Sequence, residues 1–184
     1  MKDADNNVYN TVKIGTQCWM KQNMRVGTRI NGAGNQTNNG MTEKHCYNDQ
    51  LANCMSTNHP NYPDGGLYEW DEVMKYSRAP GTRGICPIGR HVPTNAQFGV
   101  LESYLGSGTA GTKLKVGGVS GFEANLTGYT QGGTSMFIDW DGTFWTSSES
   151  AGSGYYRRVN SIIATFASSL GGKTNGMSVR CLRD

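Results

Sequence analysis

The stretch from Gly142 to Asp184 constrains the fold more than any other part of the chain. Met177-Ser178-Val179-Arg180-Cys181 alternates apolar and polar residues, the period of a strand with one buried and one solvated face. Upstream, Phe144-Trp145 sits among small hydroxyl residues. Both ends read as fixed frame. Between them, Gly154 to Gly172 mixes Tyr, Arg, Ile, Ser, Phe, Leu and Gly without a clean period. Such a chain must hold a chemically mixed segment on a rigid support, which is how scaffolds carry binding residues.

The middle segment has a second property. Gly154 to Gly172 contains no Lys, Glu, Gln, Met or Trp. Those types are missing from the set that an AAC codon reaches when its two adenines are randomised, and every residue of the segment belongs to that set. At ordinary composition, windows this long lack all five types on the order of a few per cent of the time.

A chain of 184 residues is long enough to bury a real core in one domain, and neither a repeat nor a linker divides it, so residues 1–184 read as a single domain. Apolar content is low at 36% and Gly is high at 26 residues, which favours a loop-rich α+β or β protein over a helical bundle. The net charge of +3 comes from scattered Lys and Arg. No basic stripe carries interleaved aromatics, so nucleic-acid binding is not expected. No apolar run is long enough to span a bilayer, and the start does not read as a signal peptide.

Along the chain, Val8 to Ile14 alternates with Val8, Asn10, Val12 and Ile14 on one face and predicts a strand, followed after a turn by a short strand at Cys18-Trp19-Met20. Gly27 to His59 reads as a long loop. Leu67, Trp70, Val73 and Met74 fall at helical spacing and predict a helix over Gly66 to Tyr76. Pro93-Thr94-Asn95 caps a second helix, Ala96 to Leu105, with Phe98, Leu101 and Leu105 inward. Gly106 to Gly121 is a Gly-rich connection, and Phe122 to Tyr129 predicts a strand. Trp19, Trp70 and Trp145 read as core; Trp140 is less determined.

Catalytic and metal patterns are sparse. Asp139-Trp140-Asp141-Gly142 reads first as an Asp-Gly turn rather than a calcium site. His45, His59 and His91 are dispersed, and no Ser-His-Asp order has a supporting motif. Cys18, Cys46, Cys54, Cys86 and Cys181 include no C-x-x-C pair, so no zinc site is expected. We expect no catalytic residue, no metal and no cofactor.

Six ordered segments carry a family resemblance: Val12-Lys13-Ile14-Gly15-Thr16-Gln17-Cys18-Trp19-Met20, Gly65-Gly66-Leu67-Tyr68-Glu69-Trp70, Gly84-Ile85-Cys86-Pro87, His91-Val92-Pro93-Thr94, Phe144-Trp145-Thr146-Ser147-Ser148-Glu149 and Gly176-Met177-Ser178-Val179-Arg180-Cys181. Over nearly its whole length the chain resembles the Fibrobacter succinogenes major paralogous domain family. That family looks like a branch of the C-type-lectin and formylglycine-generating-enzyme-like fold. Some members resemble the variable proteins of diversity-generating retroelements, in which adenine-directed mutagenesis rewrites a C-terminal segment with an ending similar to Asn175-Gly176-Met177-Ser178-Val179-Arg180-Cys181.

The resemblance implies an α+β, C-type-lectin-like fold, with two helices packed on short antiparallel sheets and many loops. It implies a Cys86–Cys181 bridge. Cys46 and Cys54 would then close a short local loop, and Cys18 would be a buried thiol beside Trp19. The residues alone leave reduced thiols open; two bridges imply an oxidising compartment, at the cell surface or outside the cell. His91 matches a family position with a packing role. The acidic-Pro-Asn type of motif of calcium-dependent sugar binding is absent, and only Cys181 lies where the related enzymes keep a cysteine pair.

By the same comparison, the positions open to variation are Tyr156, Arg158, Asn160, Ser161, Ile162, Ile163, Thr165, Ala167, Ser169, Leu170, Gly171 and Gly172. Tyr155, Arg157, Val159, Ala164 and Phe166 suit a frame. The expected function is recognition of a protein or surface ligand through a hypervariable face. The alternatives are a fixed adhesin or pilus-like module of the same family and, from another class, an enzyme of the formylglycine-generating type. On the recognition reading Tyr156, Arg158, Ile162, Ile163 and Leu170 should be largely exposed and contiguous.

Overall fold

Ile14 and Gln17 face each other across a tight turn in which Gly15 takes a φ of 60°, joining β1 (Thr11–Ile14) to β2 (Gln17–Met20). The computed structural model describes residues 1–55 and 64–184; the end of the expected 27–59 loop, with His59, lies outside the described residues. The described part is mixed α and β and rich in strands. One sheet has the order β1-β2-β11-β5, with β5 at Arg90–His91 and β11 at Leu182–Arg183, so the chain's last strand lies against its first hairpin. The larger sheet has the order β10-β9-β8-β6-β7. Its strands are β6 (Thr127–Gln131), β7 (Thr134–Ile138), β8 (Asp141–Ser150), β9 (Ser153–Asn160) and β10 (Ala167–Gly171). Most pairings are antiparallel, but β6 meets β8 in parallel at Gly128↔Gly142, and β3 (Thr28–Arg29) pairs with β4 (Glu43–Lys44) in parallel.

Four α-helices occur among the described residues, where two were expected: α1 (Leu51–Met55), α2 (Trp70–Val73), α3 (Asn95–Leu105) and α4 (Ala110–Leu114). The second expected helix is α3. Thr94 accepts from the Gln97 N–H at 3.1 Å, and the Gln97 side chain accepts from the Thr94 N–H at 2.8 Å, a complete capping box. The first expected helix shrinks to one turn. The main chains of Leu67 and Tyr68 are taken by bridges to His45 and Met177, and Lys75 and Tyr76 adopt positive φ. Its apolar period still marked the buried side: Leu67, Trp70, Val73 and Met74 are all buried. The expected 27–59 loop contains β3, β4, a turn at Tyr47–Asp49 and α1, while the Gly-rich connection contains α4.

The first strand begins at Thr11, not Val8, because the preceding residues fold on themselves. Asp3 Oδ1 accepts from the N–H groups of Asp5 and Asn7, both at 3.0 Å, and Val8 stays exposed while Tyr9 is buried. The strand expected from Phe122 to Tyr129 is confined to β6, and Phe122 is a core side chain.

The core has two clusters. One gathers Trp70, Trp145, Met177 and Val179 around Cys86 and Cys181; the other gathers Trp19, Phe98, Phe122, Phe144 and Phe166. Both expected bridges are formed, Cys46–Cys54 and Cys86–Cys181, while Cys18 is free and half-buried rather than buried. The alternation of Met177 to Cys181 has a different meaning from the expected half-solvated strand. All five residues are buried, and only single bridges at Met177 and Ser178 link them to Tyr68 and Phe144. The polar positions face an interior that is itself polar. Arg180 donates to Asn23 Oδ1 at 2.5 Å and to the carbonyls of Met20, Phe122 and Glu123 at 3.1, 2.6 and 2.7 Å, between the Phe122 and Phe144 rings. A buried cation is tolerable only when its donors are satisfied in this way.

Candidate functional site

In β9 the side chains alternate between two environments, and the register with its neighbours assigns each face. Tyr156 lies between Ser169 and Trp145, Arg158 between Ala167 and Thr143, and Asn160 opposite Asp141. Tyr156, Arg158, Asn160, Ala167, Ser169 and Gly171 therefore share one face. Arg157 and Val159 turn the other way with Phe144, Ser168 and Leu170.

The second face is the frame. Arg157 is buried; it pairs with Glu102 of α3, donates to the Phe166 carbonyl at 3.2 Å and to Asn95 Oδ1 at 3.4 Å, and sits 4.6 Å from the centre of the Phe166 ring. Val159 and Phe166 are buried in the same cluster. Of the other two expected frame positions, Tyr155 is half-buried, and Ala164 is exposed but contributes through its carbonyl, which accepts from the Thr112 N–H at 3.2 Å.

None of the twelve positions marked as open to variation is buried. They do not form the uniform patch expected for five of them. Tyr156 and Arg158 are half-buried, Tyr156 against the edge of Trp145 and Arg158 with its guanidinium 3.8 Å from the Asp141 carboxylate. Leu170 is 47% exposed but turns away from Tyr156, because the period of a strand puts it beside Tyr155 instead. Thr165 and Gly172 are exposed, and Ser161 is half-buried.

Ile162 and Ile163 are adjacent exposed apolar groups, 80% and 42% exposed. The turn beneath them is firmly built. Asn160 Oδ1 accepts from both of their N–H groups at 3.1 and 3.2 Å, while its amide donates to Asp141 Oδ1 at 2.6 Å. The Ser161 N–H donates to the Trp140 carbonyl at 2.8 Å, and Lys115 Nζ to the Ser161 carbonyl at 2.6 Å. Asn160 is thus a structural support of the turn as well as a surface residue.

Three aromatic residues extend this surface. Trp140 is 54% exposed beside Ser161, and Phe137 stacks on Tyr129 with ring centres 5.8 Å apart. Burial, with Tyr156 and Asp141 close by, pushes the Tyr129 hydroxyl pKa upward. The sequence reading did not place Tyr129 here. The available signal was Gly132-Gly133, a two-residue loop at positive φ between Gln131 and Thr134, which marks a hairpin.

The remaining singled-out residues are dispersed. His91 is half-buried and polar in role: its ring nitrogens lie 2.7 Å from Asp184 Oδ1 and 3.1 Å from Gln97 Oε1, so it links the last residue to the α3 cap. His45 is buried with Nε2 3.5 Å from Glu69. Asp139 takes a positive φ in the turn and Asp141 is buried at the start of β8; among the described residues no group of three His, Cys, Asp or Glu is placed to hold a metal. No helix among them is long and apolar enough to cross a membrane.

The model of the family described as Fibrobacter succinogenes major domain matches residues 12–183. Comparison with curated proteins and with solved structures found no significant match.

Proposed function

Because the chain belongs to the Fibrobacter succinogenes major domain family, we propose that it is a recognition protein that binds a protein or surface ligand without chemical turnover. In this reading the scaffold is C-type-lectin-like, and the face around β9, β10 and the Ile162–Ile163 turn is rewritten by a retroelement. One observation carries it: all twelve candidate positions are unburied, while the interleaved Arg157, Val159 and Phe166 are buried. Side chains on such a face can change without removing the core contacts that hold the sheet. Tyr156 and Arg158 on β9, beside the anchored turn that carries Ile162 and Ile163, are of the residue types that act as interface anchors. The bond of Cys181 to Cys86 leaves no free cysteine pair near the C-terminus, which supports recognition over formylglycine-type oxidation. Two disulfides suit a cell-surface or extracellular location.

A thermal melt tests the reading. Replacing Tyr156, Arg158, Ile162, Ile163 and Leu170 together with Ser should lower stability by less than Trp145→Ala alone, which removes a fully buried ring and should cost about 3–5 kcal/mol. Val179→Ala should also be costly. Unfolding of the surface variant, with both frame variants intact, would make the segment core and end the proposal. A near-copy of the last segment in neighbouring DNA, with Asn codons at the twelve positions, is the matching genetic expectation; its absence would favour a fixed adhesin.

A further inference from the structure

The two larger sheets have four edges among the described residues, and three are protected. β1 carries an exposed Lys13, a charge that discourages edge pairing. β5 is only Arg90–His91, and His91 is tied to Asp184. β7 is covered by the turn at Tyr47–Asp49: the Asn48 N–H donates to Ser135 Oγ at 2.7 Å, and the Ile138 N–H to the Tyr47 hydroxyl at 3.3 Å. β10, Ala167-Ser168-Ser169-Leu170-Gly171, has no charge, no Pro and no bulge against β9.

The ladder shows which of its groups face outward. The Trp145 N–H donates to the Ser178 carbonyl and the Ser178 N–H to the Thr143 carbonyl, so Thr143 and Trp145 turn their main chains away from β9. Phe144 therefore turns toward its partner Arg157. By alternation Tyr156 and Arg158 turn toward β10, where they meet Ser169 and Ala167. Ser168 and Leu170 are left with N–H and C=O directed away from the sheet, and among the described residues no hydrogen bond from outside the sheet reaches either main chain. Both residues are exposed.

We propose that this edge is a self-association site, in which two copies of the chain join β10 to β10 antiparallel about a twofold axis at Ser169. Ser168 of one copy exchanges both main-chain hydrogen bonds with Leu170 of the other, and the reverse pair repeats this across the axis. The strand is its own complement in length, direction and hydrogen-bonding register, the condition for a twofold contact. Its lack of charge leaves nothing to repel across the axis. A foreign strand would be selected by pockets for its alternate side chains; β10 offers Ala, Ser, Ser and Gly with a single Leu, which selects little but allows close approach. Main-chain pairing is also indifferent to most uncharged side chains, so the contact would survive uncharged variation of the face. Ala167, Ser169 and Gly171 share the face of Tyr156 and Arg158, so the joined sheet would present two recognition faces side by side and gain by bivalency. The pairing itself does not depend on the recognition reading. Five residues from each copy make a contact far below that of a permanent dimer, so the dimer forms only at high concentration.

Sedimentation equilibrium of the full chain, over a series reaching about 1 mM, tests this. The wild type should pass from monomer to dimer. Ser169 would face itself as a close, non-hydrogen-bonded pair. Ser169→Lys and Ser169→Asp should therefore each remain monomeric, and an equimolar mixture of the two should dimerise. In the wild type, amide exchange at Ser168 and Leu170 should slow as the dimer fills, while Ala167 and Ser169, already bonded to β9, should not change. A wild type that stays monomeric, a mixture that stays monomeric, or a dimer that leaves the Ser168 and Leu170 amides unprotected would overturn the proposal. None of these outcomes touches the recognition reading, which is decided by the melt of the surface variant.

Discussion

Asp64 is a carboxylate that the fold would rather keep protonated. It is buried beside Asp139, and desolvation first, then that neighbouring charge, raises its pKa to about 6, partly offset by the Asn125 amide 3.5 Å away. The unfolded chain releases this proton nearer to the ordinary value of 3.8. Between those values the native state holds more protons than the unfolded state, so stability should fall as pH rises from about 4 to about 6. Asp64→Asn should remove that slope and raise stability at pH 7 by about 1–3 kcal/mol. Urea unfolding of both proteins across this pH range checks it, and an unchanged slope in the variant would assign it elsewhere. No sequence pattern singles out Asp64, because its environment is assembled from Asn125 and Asp139 far along the chain. Arg180 is the opposite case. The polar beat of Met177 to Cys181 is plain in the sequence, but the acceptors that make a buried guanidinium possible come from Met20, Asn23, Phe122 and Glu123.

At the scale of elements, local signals succeeded where the partners are local. The α3 helix has its cap and its apolar stripe within Thr94 to Leu105, and it forms as its sequence predicts. The helix expected at Gly66 to Tyr76 lost most of its length because Leu67 and Tyr68 bond instead to His45 and Met177, which no window around them contains. The Ile162–Ile163 turn follows a rule of its own. Its polar N–H groups are collected by Asn160, which a reading by exposure alone would leave free to vary. Asn160→Ala should cost about 1–2 kcal/mol and speed amide exchange at Ile162 and Ile163, with little change elsewhere in β9. Unaltered exchange at those two amides would mean that the Ser161 contacts to Trp140 and Lys115 hold the turn alone.

Across the whole molecule, the Cys86–Cys181 bond ties the loop before β5 to the residues just before β11, enclosing a sequence separation of 95, whereas Cys46–Cys54 spans only 8. Loop-closure entropy then assigns about 4–5 kcal/mol to the long bridge and about 2–3 to the short one. Replacing each pair with Ser should show that order in denaturant midpoints. Equal losses would show that strain or residual structure, not chain entropy, sets their worth. The long bridge also lies in the cluster of Trp70, Trp145 and Met177, so its removal should loosen the support of β8 and β9 as well as the chain ends.

The sequence by itself marked the tryptophans of the core and three of the five expected frame positions, Arg157, Val159 and Phe166, as buried. Trp19, Trp70, Trp145 and Phe144 are buried as their composition and spacing required, and Gly154 to Gly172 holds side chains that the core does not consume apart from those of Arg157, Val159 and Phe166. These properties are set by hydrophobic transfer and by local period, both carried by neighbouring residues. Tertiary structure alone decided which of the segment's residues share a face, why Leu170 parts from Tyr156, that Tyr129 and Trp140 border the same surface, and that β10 lies at the edge of its sheet. Each of these depends on strand register or on which strands become neighbours. Those are set by hydrogen bonds between segments distant in sequence, and a shift of one residue would turn every side chain of a strand to the opposite face.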